Sequence, residues 1–176
     1  MKKKIRLLGD EVLRKIAEPV SPESDVAKKV VQDLIDTLKV NEEFALAATQ
    51  IGHLHRVFII NPIWIEDEKK RKPMIFINPE FLEFEGEQYE LEGCLSIPEI
   101  FEKVKRAYKV KLKAQDLSGT WRTYSGKGLF ARAAQHENDH LDGILFIDKI
   151  SPFRRKLLHG KLKKISSTTK DGVNVG

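Results

Sequence analysis

Gln135-His136-Glu137-Asn138-Asp139-His140-Leu141-Asp142-Gly143 sets two histidines four residues apart, with a glutamate beside the first. On an α-helix, positions i and i+4 share a face, so both imidazoles can reach one metal ion. Glu137 lies about 100° further round, near enough to touch a water at that ion without being a ligand. Gly128 before the segment and Gly143 after it predict a helix over 129–141, with Gly143 as its stop.

A catalytic metal site commonly uses three protein ligands and keeps one position open. Downstream, Gly143 extends the pattern as in metzincins, but Phe146 stands where their next histidine falls. No glutamate follows Glu137, so a thermolysin-like third ligand is absent. Two candidates remain. His159 sits in a basic C-terminal segment, and Cys94, the single cysteine, sits in Glu92-Gly93-Cys94-Leu95-Ser96. A turn beside Gly93 exposes the thiol, and a metal would hold it as thiolate.

Length and composition narrow the class. A chain of 176 residues is about one domain. With 41% hydrophobic and 32% charged residues it has a globular composition. No apolar run is long enough for a transmembrane helix. Arg6, Asp10 and Glu11 follow the basic start without an apolar segment, so no secretory signal is expected. One cysteine cannot form an internal disulfide, which fits a reducing, cytoplasmic compartment. The net charge of +5 allows an acidic partner.

The remaining segments predict an α+β order. Val26, Val30, Val31, Leu34, Ile35 and Leu38 recur at helical spacing after Ser24, giving an N-terminal amphipathic helix over 25–39. Strands are expected at 56–60 and at 74–77, each ended by Asn-Pro, with a charged turn over 66–72 between them. Further strands are expected over 84–91, over 104–112, and over 120–124 paired back across Leu117-Ser118-Gly119. A basic helix is expected over 152–165, and residues 166–176 read as a frayed tail behind a single domain over 1–165. The expected architecture is antiparallel strands packed around a central helix that carries His136 and His140.

Together, Glu92-Gly93-Cys94-Leu95-Ser96 and Gln135 through Gly143 resemble the peptide deformylase family, as does the opening Leu8-Gly9-Asp10-Glu11-Val12-Leu13-Arg14. The likeness runs from about residue 5 to about residue 150. It implies that Cys94, His136 and His140 bind one divalent metal, iron(II) in the cell, with zinc, nickel or cobalt chemically suitable. It implies Glu137 as general base and acid, with the Gln50 amide and the Leu95 backbone N–H holding an oxyanion. It places Phe44, Ala45, Gly93, Arg106 and Arg132 along the substrate. The implied reaction removes the formyl group from N-formylmethionyl nascent peptides.

The family's first motif departs here. Glu43-Phe44-Ala45-Leu46-Ala47-Ala48-Thr49-Gln50 keeps Leu46, Ala47, Ala48 and Gln50, but Glu43 and Ala45 replace glycines and Thr49 replaces a proline. Arg132, one turn before His136, takes a position the resemblance assigns to an apolar pocket residue. It is expected to reach outward, to pair with Glu90 or Glu92, or to narrow the pocket. These changes motivate a second reading, a divergent paralogue with altered or lost substrate. Two further rivals are a ribosome-binding protein with a structural metal, which leaves Glu137 without a role, and a metal-dependent peptidase, which lacks its downstream ligand. Arg154, Arg155, Lys156, Lys161, Lys163 and Lys164 give the last helix a charge suited to ribosomal RNA. Membrane and DNA are not expected as partners.

Overall fold

The computed structural model describes residues 1–170, without the side chain of Lys170. Three helices, α1 (Asp25–Asn41), α2 (Leu129–Leu141) and α3 (Pro152–Lys170), pack with seven strands. The strands are β1 (Ala45–Ala47), β2 (Val57–Ile60), β3 (Met74–Glu85), β4 (Gln88–Cys94), β5 (Ile97–Arg106), β6 (Lys109–Gln115) and β7 (Trp121–Lys127). They form a five-stranded antiparallel sheet in the order β1-β2-β3-β6-β7 and a separate antiparallel pair, β4-β5.

Strand β2 shows why the layers stack as they do. All four of its residues are buried, because helices cover both faces. Val57 and Ile59 point to the α1 side, where they meet Val30, Val31, Leu34 and Leu38. Phe58 and Ile60 point the other way and share a cluster with Phe76, Leu112, Ala131 and Ala134, the last two on α2. Phe58 stacks on Phe76 with ring centroids 4.7 Å apart. Ser24 caps α1 by accepting from the Ala27 N–H at 3.1 Å. A third cluster joins Ile97, Ile100 and Val104 of β5 to Phe146, Ile147 and Leu162, which seats α3.

Several expected boundaries move, each for a local reason. The strand starting at Met74 passes through Asn78-Pro79 to Glu85 instead of stopping at Ile77. Asn78 takes a left-handed φ of 50°, and its side chain bonds both Val20 backbone groups and Gln115. The register shifts between Ile77 and Glu80, so Pro79 sits in a bulge where a missing donor is tolerated. The expected strand over 84–91 is cut at Gly86, whose φ of 66° turns the chain from one sheet into the other. The expected strand over 104–112 is likewise two strands, because Ala107-Tyr108 carries the chain from the pair back to the large sheet.

The last helix continues past 165 to Lys170, so Ser166 through Lys170 are helical, not frayed. Gly9 explains the anchorage: a Cβ there would lie 2.7 Å from the Ser166 carbonyl oxygen, so the two backbones touch. Ser167, Thr168 and Thr169 each donate a side-chain hydroxyl to the carbonyl four residues back. Residues 171–176 of the expected tail lie outside the described residues. Among the described residues, no helix is long and apolar enough to cross a membrane.

Candidate active site

Helix α2 packs on β1, β2, β5 and β7, and this fixes which of its faces looks into the fold. That face carries His136, Glu137 and His140, all buried, as i, i+1 and i+4 spacing requires. At its C-terminus, Gly143 adopts φ 72°, and a Cβ there would come within 2.6 Å of the Arg14 carbonyl oxygen. The helix therefore ends where the N-terminal segment crosses it.

Cys94 arrives from the end of β4, two residues after Glu92. Both side chains face the α2 histidines, Glu92 toward His136 and Cys94 toward His140. The Cys94 Sγ lies 3.4 Å from His140 Nε2, and the ligand atoms of Cys94, His136 and His140 all fall within 4.8 Å of one another. His159, the other candidate third ligand, is on α3 and does not join this group. Glu92 Oε1 lies 2.7 Å from His136 Nδ1, leaving Nε2 as the ring nitrogen available to a metal. A soft thiolate and two imidazoles suit a divalent transition metal, so the residues present fit such an ion.

Behind Glu92 sits Arg106, which donates to both of its carboxylate oxygens at 2.9 Å and also pairs with Asp139. Burial alone would raise the Glu92 carboxyl, but hydrogen bonds from Arg106 and His136 hold it at about 2. The Glu137 carboxyl behaves in the opposite way. Burial lifts it to about 7 against the opposing charge of His136, and the Glu43 and Glu92 carboxylates add to the rise. Its Oε2 is buried without a hydrogen-bond partner, an acceptor held open beside the metal ligands.

These groups open into a cleft of about 190 Å³ lined by the buried Gln50, His136 and Glu137 together with Gly93, Cys94, Leu95, Glu43, Phe44, Ala45, Leu91 and Arg132. The sequence model of the family described as polypeptide deformylase matches residues 2–156. The chain belongs to the peptide deformylase family. A peptide deformylase of Acidobacterium capsulatum is 42% identical over 156 residues, covering 89% of this chain and 91% of the relative. The crystal structure of a peptide deformylase from Legionella pneumophila superposes with a TM-score of 0.85 at 38% identity, over 97% of this chain and 98% of that one. The peptide deformylase of Thermus thermophilus gives 0.86 at 35% identity, over 95% and 99%.

Gln50 is buried on a short turn after β1; its Oε1 accepts from the Ala47 N–H at 3.0 Å, which turns Nε2 toward Cys94 Sγ at 3.4 Å. Phe44, Ala45, Gly93 and Leu95 line the cleft. Arg106 does not: only 4% of it is exposed, and its guanidinium is consumed by Glu92 and Asp139. It is neither at a peptide-binding edge nor a surface charge, because two carboxylates on opposite sides hold it inside. Arg132 pairs with neither Glu90 nor Glu92. It donates to the Leu91 carbonyl at 2.9 Å and to Gln88 Oε1 at 2.6 Å, clamping β4 to α2 at the cleft wall.

Two residues gain roles that the sequence reading did not assign. Glu92 orients His136, and its i, i+2 spacing from Cys94 was the available signal. Thr49, fully buried, donates its hydroxyl to the His140 carbonyl at 3.2 Å and so ties the Gln50 turn to the ligand helix. No spacing rule links residues this far apart in sequence.

Proposed function

We propose that this enzyme of the peptide deformylase family removes the N-formyl group from formylmethionyl N-termini of newly made proteins through Cys94, His136, His140, Glu137, Gln50 and Leu95. The observation that carries the reading is an acceptor oxygen of Glu137, buried and unpartnered, beside a convergent Cys-His-His set at the floor of an open cleft. The second reading, a paralogue with altered or lost substrate, draws no support from the comparisons.

A divalent ion held by Cys94, His136 and His140 would supply Lewis-acid activation of water and of the formyl group. Iron(II) is the ion the donor set and family suggest; zinc, nickel and cobalt suit the same donors. Glu137 Oε2 takes the proton from the attacking water and later gives it to the leaving amine. The Gln50 Nε2–H and the Leu95 N–H stabilise the negative charge that develops on the formyl oxygen. The C–N bond breaks, water supplies OH to the carbon and H to the nitrogen, and formate leaves with a free N-terminus. Phe44, Ala45 and Gly93 flank the peptide backbone, with Arg132 shaping the wall by holding Leu91.

The decisive experiment measures formate released from formyl-Met-Ala-Ser by protein prepared anaerobically and loaded with iron(II) or nickel, beside a Glu137→Ala variant. Release by the wild type and loss in the variant support the reading. No release despite one bound ion per chain overturns it.

Helix α3 supports a second contact, with ribosomal RNA in the cytoplasm. Arg154 is engaged by Glu102 and Arg155 by Asp148, but Lys156, Lys161, Lys163 and Lys164 are exposed and form no ion pair among the described residues. Four such phosphate contacts give steeply salt-dependent binding. Co-sedimentation with ribosomes that is unchanged by reversing these lysines to glutamate would overturn that part.

A further inference from the structure

Leu129, at the start of α2, borders the candidate active site on one side and a larger groove of about 880 Å³ on the other. None of Cys94, His136, His140 and Glu137 lines this second groove. One of its walls is the segment between β2 and β3, where Trp64 stands edge-on to Phe130 with ring centroids 6.0 Å apart and is 48% exposed. The other wall is β7, which contributes Thr123 through Lys127 without a gap. Side chains of a strand alternate between faces, so a groove lined by consecutive residues runs along the edge of the strand and not over one face. Phe130 packs against Gly126, where a Cβ would strike its ring, so the aromatic surface lies directly beside that edge.

Strand β7 ends the five-stranded sheet, and among the described residues it pairs with β6 alone. Its outward N–H and C=O groups are a template for one more strand. The groove also has one sign of charge. Lys70, Lys72 and Lys127 line it, and no acidic side chain does. Lys70 has an exposed partner in Asp67 at 3.4 Å, whereas Lys72 and Lys127 form no ion pair among the described residues. An extended chain of alternating apolar and acidic residues matches all three features. Its backbone bonds β7, its apolar side chains cover the rings, and its carboxylates meet the lysines. A second copy of this chain offering the same edge would instead set like charges opposite each other.

We infer that this groove is a docking site for an acidic segment of a partner protein, which adds as a strand to β7 and seats apolar side chains on Trp64 and Phe130. The site stands apart from the metal ligands, so it does not depend on the deformylase reading.

The test titrates acetyl-Glu-Val-Phe-Val-Glu-amide into the metal-loaded full chain carrying Trp121→Phe, which leaves Trp64 as the reporting tryptophan. Its fluorescence should change saturably. A peptide with lysine in place of each glutamate should bind about tenfold more weakly at low salt, and the difference should shrink at high salt. Methylating the peptide's backbone nitrogens blocks strand addition and should abolish binding. Lys72→Glu combined with Lys127→Glu should weaken the acidic peptide by about tenfold while the thermal midpoint stays near that of the parent. Absence of saturation at millimolar peptide, equal binding of the two charge versions, or undiminished binding of the methylated peptide overturns the inference. So does equal binding of oligouridylate, which would make the groove a nucleic-acid site.

Discussion

His136 Nδ1 and Glu92 Oε1 are 2.7 Å apart, and Glu92 in turn accepts from Nε and Nη2 of Arg106. One strand residue thus fixes the orientation of a ligand on the helix opposite. A buried carboxylate that bridges a histidine and an arginine does two tasks at once: it leaves the other imidazole nitrogen to face Cys94 and His140, and it neutralises an arginine that could not stay buried alone.

Replacing Glu92 by Gln should therefore act on both. Metal affinity is expected to fall about 10- to 100-fold, measured by chelator competition. Stability in denaturant should drop by about 3–5 kcal/mol as Arg106 loses its main counter-charge. Unchanged metal affinity in a folded variant would refute the orienting role.

Glu137→Gln keeps the shape and removes the carboxylate proposed as the base. Formate release is expected to fall by at least about 10²-fold, while bound metal per chain and the thermal midpoint stay near wild type. A variant that keeps full turnover would show that another group handles the proton.

Gln50→Ala probes the oxyanion side. With Nε2 gone from beside Cys94, kcat should drop by about 10²- to 10³-fold and KM should change little. A pure KM effect would mean that Gln50 serves binding rather than charge developed during reaction.

Asp33 predicts an acid limb of stability. Its side chain is 2% exposed, with Lys29, Lys3, His53 and the Met1 amino group around it. Burial works to raise its carboxyl, but the hydrogen bonds from the Met1 amino group, Lys29 and His53 hold it well below the ordinary range. The folded value lies below the unfolded value of about 3.9, so its contribution is complete above that pH and fades as pH falls below it. The stability gap between wild type and Asp33→Asn should be widest near neutrality and shrink progressively on acidification below about pH 4. A gap independent of pH over that range would refute the ion-pair account.

Gly143→Ala tests the helix stop. The left-handed φ and the backbone of Arg14 both exclude a Cβ, so a loss of more than about 1 kcal/mol is expected in chemical denaturation.

Spacing along the chain was enough for the local features. Four-residue spacing put His136 and His140 on one helical face, Gly143 marked where that helix ends, and the apolar residues at helical spacing after Ser24 marked α1. These are properties of neighbours along the chain, and a helix of fixed pitch makes them readable. The long-range relationships depend on packing. That Cys94 and not His159 joins His136 and His140 follows from where β4 ends beside α2, a meeting of segments some forty residues apart. That Arg106 lies inside, between Glu92 and Asp139, and that Arg132 holds Leu91 and Gln88, depends on which faces of β5 and α2 the sheet pair presents to each other. The split of two expected strands between separate sheets has the same origin. Strand propensity shows that a segment is extended, but the partner it pairs with is set by packing across the whole fold.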